Sequence, residues 1–393
     1  MHWFGASLCL TPPGLARKSA PDGFLSVPPP SWSEAEPRQA NEFLRVSSRS
    51  LRLNEEIRLI EQAENQDEEQ AFCRLGPEQI LDAVEAVGYQ CDGRMLALNS
   101  YENRVYQLGI EGGEPVVAKF YRPGRWSDAA ILEEHGFACE LAEGEIPVIA
   151  PLADAEGITL HHQGLHRFAV FPRRGGRPPE LDNREHLEQL GRFMARIHLV
   201  GEIRPFQARP TLGIQEFGLD SYQFLLEKGF IPQGLEQSYR TLAEDLIERI
   251  RDAYRRAGSP GYLRLHGDAH CGNILWTGAG PHFVDLDDAR MGPAIQDLWM
   301  FLSGERPERT IALCDLLEGY TQFRDFDSRE LQLIEALRTL RMMHYAAWLG
   351  RRWTDPAFPL AFPWFNEPRY WDEHILTLRE QAAILDEPTL EWD

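Results

Sequence analysis

The residues best equipped for chemistry lie in His266-Gly267-Asp268-Ala269-His270-Cys271-Gly272-Asn273-Ile274-Leu275-Trp276 and, twelve positions after Asn273, in Phe283-Val284-Asp285-Leu286-Asp287-Asp288. An acid, an amide five residues later and a second acid at the end of an apolar strand make a general base and a set of oxygen ligands. Phosphoryl transfer uses such a set: one Asp orients the accepting hydroxyl, while the Asn and the second Asp hold Mg²⁺ on the nucleotide phosphates. Hard Mg²⁺ keeps several of its waters and needs few protein oxygens. The competing chemistry is zinc hydrolysis, since His266, His270 and Cys271 are good zinc ligands. That reading needs a further His or carboxylate and gives Asn273 and Asp285 no task.

A second signal comes from the basic residues. Of 40 Lys and Arg, only Lys18, Lys119 and Lys228 are lysines. One of them, Lys119, sits inside the apolar run Val116-Val117-Ala118-Lys119-Phe120. A compact ammonium there suits the α- and β-phosphates of a nucleotide and a partner glutamate on a helix, whereas the planar fork of Arg fits a point contact poorly. Residues 128–143 read as that helix and offer Glu133 and Glu134; Glu134 is favoured, with Glu133 a close competitor.

Elements to position these groups are legible on both sides. Gly76-Pro77-Glu78 opens a helix whose Ile80, Leu81, Val84 and Val87 share a face until Gly88. Ala97-Leu98, Arg104 to Leu108 and Val116 to Tyr121 read as strands, with Gly112-Gly113 as a hairpin turn. After the helix over 128–143, Val148 to Pro151 and Arg167 to Phe171 read as two further strands. Arg173-Arg174-Gly175-Gly176 marks a boundary. Beyond it the pattern predicts helices over 183–200, 235–257, 308–323, 328–352 and 370–386, interrupted by a β-loop-β segment from Leu263 to Asp288. His198 closes an apolar helix face and reads as a core histidine. Most of the C-terminal aromatics, from Tyr345 to Trp371, read as core.

Composition sets the outer bounds. The 393 residues carry a formal net charge of −21, which argues against a phosphate-backbone partner such as nucleic acid. No apolar run approaches the ~20 residues of a membrane helix. The six cysteines form no C-x-x-C pair, so neither a disulfide framework nor a zinc ribbon is indicated and a cytoplasmic address fits best. The first 40 residues hold seven of the 27 prolines and no periodicity; residues 1–70 read as a disordered or poorly structured extension.

Taken together, these segments resemble the protein-kinase-like fold in its aminoglycoside and choline kinase branch, whose catalytic loop reads H-G-D-x-x-x-x-N and whose metal Asp lies in a D-x-D pattern. Within that branch the chain resembles the bacterial stress response kinase A family. Further runs carry the likeness: Leu98 to Tyr106, Lys119-Phe120-Tyr121-Arg122-Pro123, Ile131 to His135, Val284 to Trp299, and Trp353-Thr354-Asp355-Pro356-Ala357-Phe358-Pro359. It spans about residues 75–390 and implies an α+β, bilobal fold. A β-rich N-lobe over 71–172, a hinge over 173–177 and a mainly helical C-lobe over 178–393 are expected.

The resemblance implies ATP- and Mg²⁺-dependent phosphorylation of serine or threonine on proteins in a bacterial stress response. Asp268 would be the catalytic base and Asn273 and Asp285 the Mg²⁺ ligands, with Asp285 also counted as catalytic. Ser100, Lys119 and Glu134 would bind ATP. His266 and Asp297 would support the catalytic loop, Asp297 by accepting its N–H groups. A G-x-G-x-x-G loop is absent, and the turn Asn99-Ser100-Tyr101-Glu102-Asn103 stands in its place. The adenine is expected against Phe168 to Pro172. Because one fold serves several acceptors, the alternative is a small-molecule kinase acting on an amino alcohol, an aminoglycoside or a sugar.

Overall fold

The structure, a computed structural model, describes residues 67–392. The extension read over 1–70 therefore lies outside the described residues except for its last four, which open a helical run over 67–73. That run places Phe72 in the core beneath the following sheet.

Helix α1 (Pro77–Ala86) begins with proline at its first position, where a missing N–H costs nothing, and the Gln79 side chain accepts the Gly76 N–H at 2.9 Å. Strands β1 (Cys91–Ala97), β2 (Arg104–Ile110) and β3 (Val116–Phe120) follow, then α2 (Asp128–Glu143), β4 (His161–Gln163) and β5 (His166–Pro172). Together the strands form one antiparallel sheet in the order β1-β2-β3-β5-β4. The central strand is β3, in which Lys119 pairs with Val105 on one side and Ala169 on the other.

Side chains alternate between the faces of a strand. Val116, Ala118 and Phe120 accordingly pack with Phe72, Ile80 and Val84 below the sheet. Lys119 points to the opposite face, where Ala169 packs with Ile131 of α2. The strand expected over 148–151 is reduced to a single parallel bridge between Val148 and Phe283; Pro151 has no N–H with which to extend it. Strand β4, three residues long, was too short to carry a periodic signal.

The second lobe is mostly helical. It comprises α3 (Arg184–Glu202), a π-turn (Gln215–Leu219) running into α4 (Asp220–Glu227), α5 (Glu236–Ala257), α6 (Ile295–Leu298), α7 (Arg306–Tyr320), α8 (Ile334–Arg351), α9 (Ala357–Ala361) and α10 (Pro368–Ile384). Most of its core is one apolar cluster, which also takes in Phe137, Ala138 and Leu141 of α2, while Leu263, Leu265 and Ala294 form a small separate one. Asn183 caps α3 by accepting the Glu185 N–H at 3.0 Å. The helix expected over 328–352 is divided, with a 3-10 segment (Ser328–Leu333) preceding α8. The segment from Leu263 to Asp288 is more elaborate than one β-loop-β unit. Strand β6 (Leu263–Leu265) pairs with β9 (Arg290–Gly292), and β7 (Ile274–Thr277) pairs with β8 (Gly280–Phe283). The two chemically rich loops, 266–273 and 284–289, run between these ribbons. Among the described residues no helix is long and apolar enough to cross a membrane.

Candidate active site

The loop from His266 to Asn273 is held from below by Asp297 on α6. One carboxylate oxygen of Asp297 accepts the His266 N–H at 2.8 Å and the other accepts the Gly267 N–H at 2.8 Å. Asp297 is fully buried and also meets the His198 imidazole at 3.3 Å, whose other nitrogen lies 2.8 Å from the Tyr320 hydroxyl. Its lone-pair sites are thus used by groups that fix it. His266 donates from Nε2 to the Val284 carbonyl at 3.0 Å and so ties the catalytic loop to the strand end before Asp285. Gly267 has φ +84°, and a Cβ there would run into the Asp288 carbonyl. Only glycine lets the two loops approach this closely.

Asp268 is thereby presented at the rim of the loop with 19% of its side chain exposed. Asn273 Nδ2 donates to the Asp268 carbonyl at 3.0 Å and lies 3.4 Å from Oδ2. His270 Nε2 is also 3.4 Å from Oδ2. The remaining oxygen, Oδ1, is 2.6 Å from the Arg341 guanidinium. Burial pushes the Asp268 carboxyl up, yet Arg341 and His270 outweigh it and hold the group well below the usual carboxylate range. It is ionised at neutral pH.

Asp285 ends the apolar approach of β8 with φ +61° and ψ +66°, a left-handed conformation that Asp tolerates better than most residues. The kink brings Asp285 Oδ1 to 2.9 Å from Lys119 Nζ, and the same ammonium lies 3.1 Å from Asp287 and 3.4 Å from Glu134. Burial alone would lower the Lys119 pKa, but Asp285, Asp287 and Glu134 together hold it well above the ordinary lysine value. The lysine is a fixed cation.

The two glutamates of α2 are separated by helix geometry. Glu134 shares the buried face with Ile131 and Ala138, and its second oxygen takes the buried Arg209 at 2.7 Å. Glu133 points elsewhere and accepts the N–H groups of Gln207, Ala208 and Arg209 at 2.6, 2.9 and 3.0 Å.

Ser100 lies in the turn between β1 and β2, where its Oγ accepts the Asn103 N–H at 3.3 Å. That turn is bound to the helical lobe. Arg122 donates to the carbonyls of Tyr101 and Glu102 and reaches Asp355 at 2.7 Å; Arg104 also reaches Asp355, at 3.1 Å. Glu102 meets Trp348 Nε1 and Arg352, both at 2.6 Å. Of the segment expected to hold adenine, Val170 already accepts the Leu152 N–H and pairs with Ala118.

Several contributors were not singled out from the sequence. Asp287, buried between Lys119 and Arg125 at 3.1 and 2.5 Å, was visible as the second acid of the D-x-D pattern. Arg122 and Asp355 stand in runs that carried the family likeness. Arg341, Arg125 and Arg209 gave no local signal, because an arginine in an arginine-rich chain is unremarked until its partner is known.

The residues fit a hard divalent cation. Asn273 and Asp285 supply oxygen, and among the described residues no group of three or more His, Cys, Asp or Glu side chains is placed to hold a metal. An ion of that kind is bound mainly through phosphates and water, while both ring nitrogens of His266 are taken up, by the Val284 carbonyl and the Asp268 N–H.

A five-stranded lobe carrying a buried Lys–Glu pair, set against a helical lobe carrying the Asp268, Asn273 and Asp285 loops, defines a kinase-like phosphotransferase. Residues 95–334 match the phosphotransferase enzyme family. The chain is 46% identical over 320 residues, 81% of its length and 96% of the relative's, to stress response kinase A of Escherichia coli (strain K12). It is equally similar, over the same shares, to the serine/threonine protein kinase RdoA of Salmonella typhimurium (strain LT2). The chain belongs to the phosphotransferase enzyme family and, within it, to the family of stress response kinase A. Solved structures agree on the fold. An amicoumacin kinase in complex with AMP-PNP and Ca²⁺ matches with TM-score 0.62 and 19% identity, over 80% of this chain and 96% of that one. A microcompartment-associated aminopropanol kinase matches with TM-score 0.59 and 16% identity, over 78% and 96%.

Proposed function

We propose that the chain transfers the γ-phosphoryl group of ATP, with Mg²⁺, to serine or threonine hydroxyls of proteins in the bacterial cytoplasm, as part of a stress response. The observation that carries the reaction is the convergence of Asp268, Asn273, Asp285 and Lys119 from three separate segments, with Lys119 on Asp285 at 2.9 Å and the Val284 N–H on the Asn273 carbonyl at 3.0 Å. The lobes would be residues 71–172 and 178–393, with 173–177 as the hinge. Lys119, held in place by Glu134, would neutralise the α- and β-phosphates, and the turn hydroxyl of Ser100 would contact phosphate. Asn273 and Asp285 would hold Mg²⁺, which when bound neutralises charge on the phosphate oxygens. Asp268 aligns the acceptor: its hydroxyl oxygen bonds to the γ-phosphorus as the bond to the β–γ bridging oxygen breaks. The hydroxyl proton passes to the Asp268 carboxylate and ADP leaves. Because the transition state is loose, positioning and charge do most of the work.

Two things favour a protein acceptor. A relative at 46% identity carries the name of a serine/threonine protein kinase. The groups closing on Asp268 are Arg341 and His270, an arrangement ill-suited to a polycationic aminoglycoside. The structural neighbours named for small-molecule acceptors support the alternative, a kinase of amino alcohols, aminoglycosides or sugars. Incubation of the purified chain with labelled ATP and Mg²⁺ tests the two, once with a general protein acceptor and once with a panel of aminoglycosides and choline-like alcohols. Label in protein alone is the expected result; label confined to a small alcohol would overturn the protein reading.

A further inference from the structure

Asp268 has two oxygens, and the loop uses only one of them. Oδ2 faces Asn273 and His270, each at 3.4 Å. Oδ1 makes no hydrogen bond within the protein and is left for an acceptor hydroxyl, but it is shut off from solvent, with the Arg341 guanidinium paired to it at 2.6 Å. Base and acceptor cannot meet until that guanidinium moves. A guanidinium cannot shed its charge by losing a proton, so it needs another anion or water when it lets go. With 41% of its side chain exposed, Arg341 is free to turn outward.

Its surroundings say what it would meet. Arg341, Tyr345 and Trp348 fall on one face of α8 by their spacing, and Arg352 follows just past its end. Arg341 meets Asp268, while Trp348 and Arg352 meet Glu102 in the phosphate turn. Tyr345 lies between them, 43% exposed, and Tyr101 at the tip of the turn is 39% exposed. This stripe thus runs from the base to the phosphate turn, with two aromatic rings open to solvent. Asp288, whose charge also bears on Asp268, is already engaged by Arg125 at 2.8 Å and Arg290 at 2.7 Å.

Resting on the protein-kinase reading above, we propose that Arg341 selects the acceptor: an acidic side chain close to the target serine or threonine takes the guanidinium from Asp268, and the hydroxyl takes its place on Oδ1. One ion pair is exchanged for another, so an acidic acceptor uncovers the base without stranding a charge. A neutral acceptor leaves the guanidinium to water, and a basic one is repelled.

The test is a serine-centred, position-scanning peptide library phosphorylated by the full chain with ATP and Mg²⁺. Wild type should enrich Asp or Glu at one or more positions beside the serine by about tenfold over Asn or Gln, the size of one charge-assisted hydrogen bond. R341Q should bring that ratio close to one, R341K should keep most of it, and R341E should shift preference to Lys or Arg. The ratio is internal to each variant and does not depend on how much enzyme is folded. A library phosphorylated without acid preference, or with a preference R341Q leaves intact, overturns the proposal while the protein-kinase reading stands. If R341Q slows every peptide equally and slows ATP hydrolysis without acceptor too, Arg341 serves the γ-phosphate and the proposal fails. If no peptide is phosphorylated but a small alcohol is, both readings fall.

Discussion

At the scale of single residues, the site depends on small groups held rigidly by larger ones. Asp268 is the group proposed to meet the acceptor, and Asp297, fully buried and bound to two loop N–H groups, anchors the loop that carries it. Asp268→Asn keeps the shape and removes the proton acceptor. It should lower kcat by about 10²–10⁴ while ATP affinity, measured by calorimetry, stays near wild type. A wild-type rate would sink the assignment. The choice between Glu133 and Glu134 shows what a sequence leaves open at this scale. Both are helix carboxylates one position apart, and only the 100° between successive residues of a placed helix turns one to Lys119 and the other to a backbone loop.

Elements act by carrying these residues to fixed places. The short helix α6 delivers Asp297, and its first N–H, on Ile295, is capped by the Glu330 carboxylate at 2.8 Å. Glu330 stands in the 3-10 segment that replaced the first turns of an expected longer helix. Burial pushes its carboxyl up to about 7 despite the N–H it accepts. The folded state then binds this proton more tightly than the unfolded chain, whose Glu titrates near about 4.3. The associated stability is full at low pH and is lost as pH rises towards about 7. Glu330→Gln removes the titration. Relative to wild type it should gain about 2–3 kcal/mol between pH 5 and pH 8, read from urea unfolding at each pH; an unchanged difference would contradict the shift. The periodic elements were legible beforehand, as α2, α3 and α5 show. Those set by a single cap or a three-residue pairing, such as β4, β9 and the 3-10 break, were not, because each lacks enough residues to display a period.

Across the whole molecule, one chain of alternating charges links the lobes. It runs Asp355, Arg122, Glu102, Arg125, Asp287, Lys119, Glu134, Arg209, with each neighbour within 3.4 Å. The turn that carries Ser100 is thereby tied on one side to the helical lobe and on the other to the loop from Asp285 to Asp288. Asp355 is 1% exposed and serves both Arg104 and Arg122. Asp355→Ala leaves two guanidiniums without their carboxylate and should cost about 3–5 kcal/mol in urea unfolding. It should also raise the KM for ATP by loosening the turn that carries Ser100. A loss under about 1 kcal/mol, the level of an exposed pair, would show that the link does not hold the lobes.

The sequence by itself was enough for the kinase-like family and the α+β fold, because H-G-D-x-x-x-x-N, the D-x-D acids, a lone strand lysine and the strand and helix periods are all local patterns. It also singled out the residues proposed for the reaction. Tertiary structure alone decided which glutamate meets Lys119, that Arg122 and Asp355 are partners 233 residues apart, and that Arg341 pairs with Asp268. Each of these is a pairing of charges between distant segments. A charge in sequence looks the same whether it faces water or another charge, and only the fold supplies its partner.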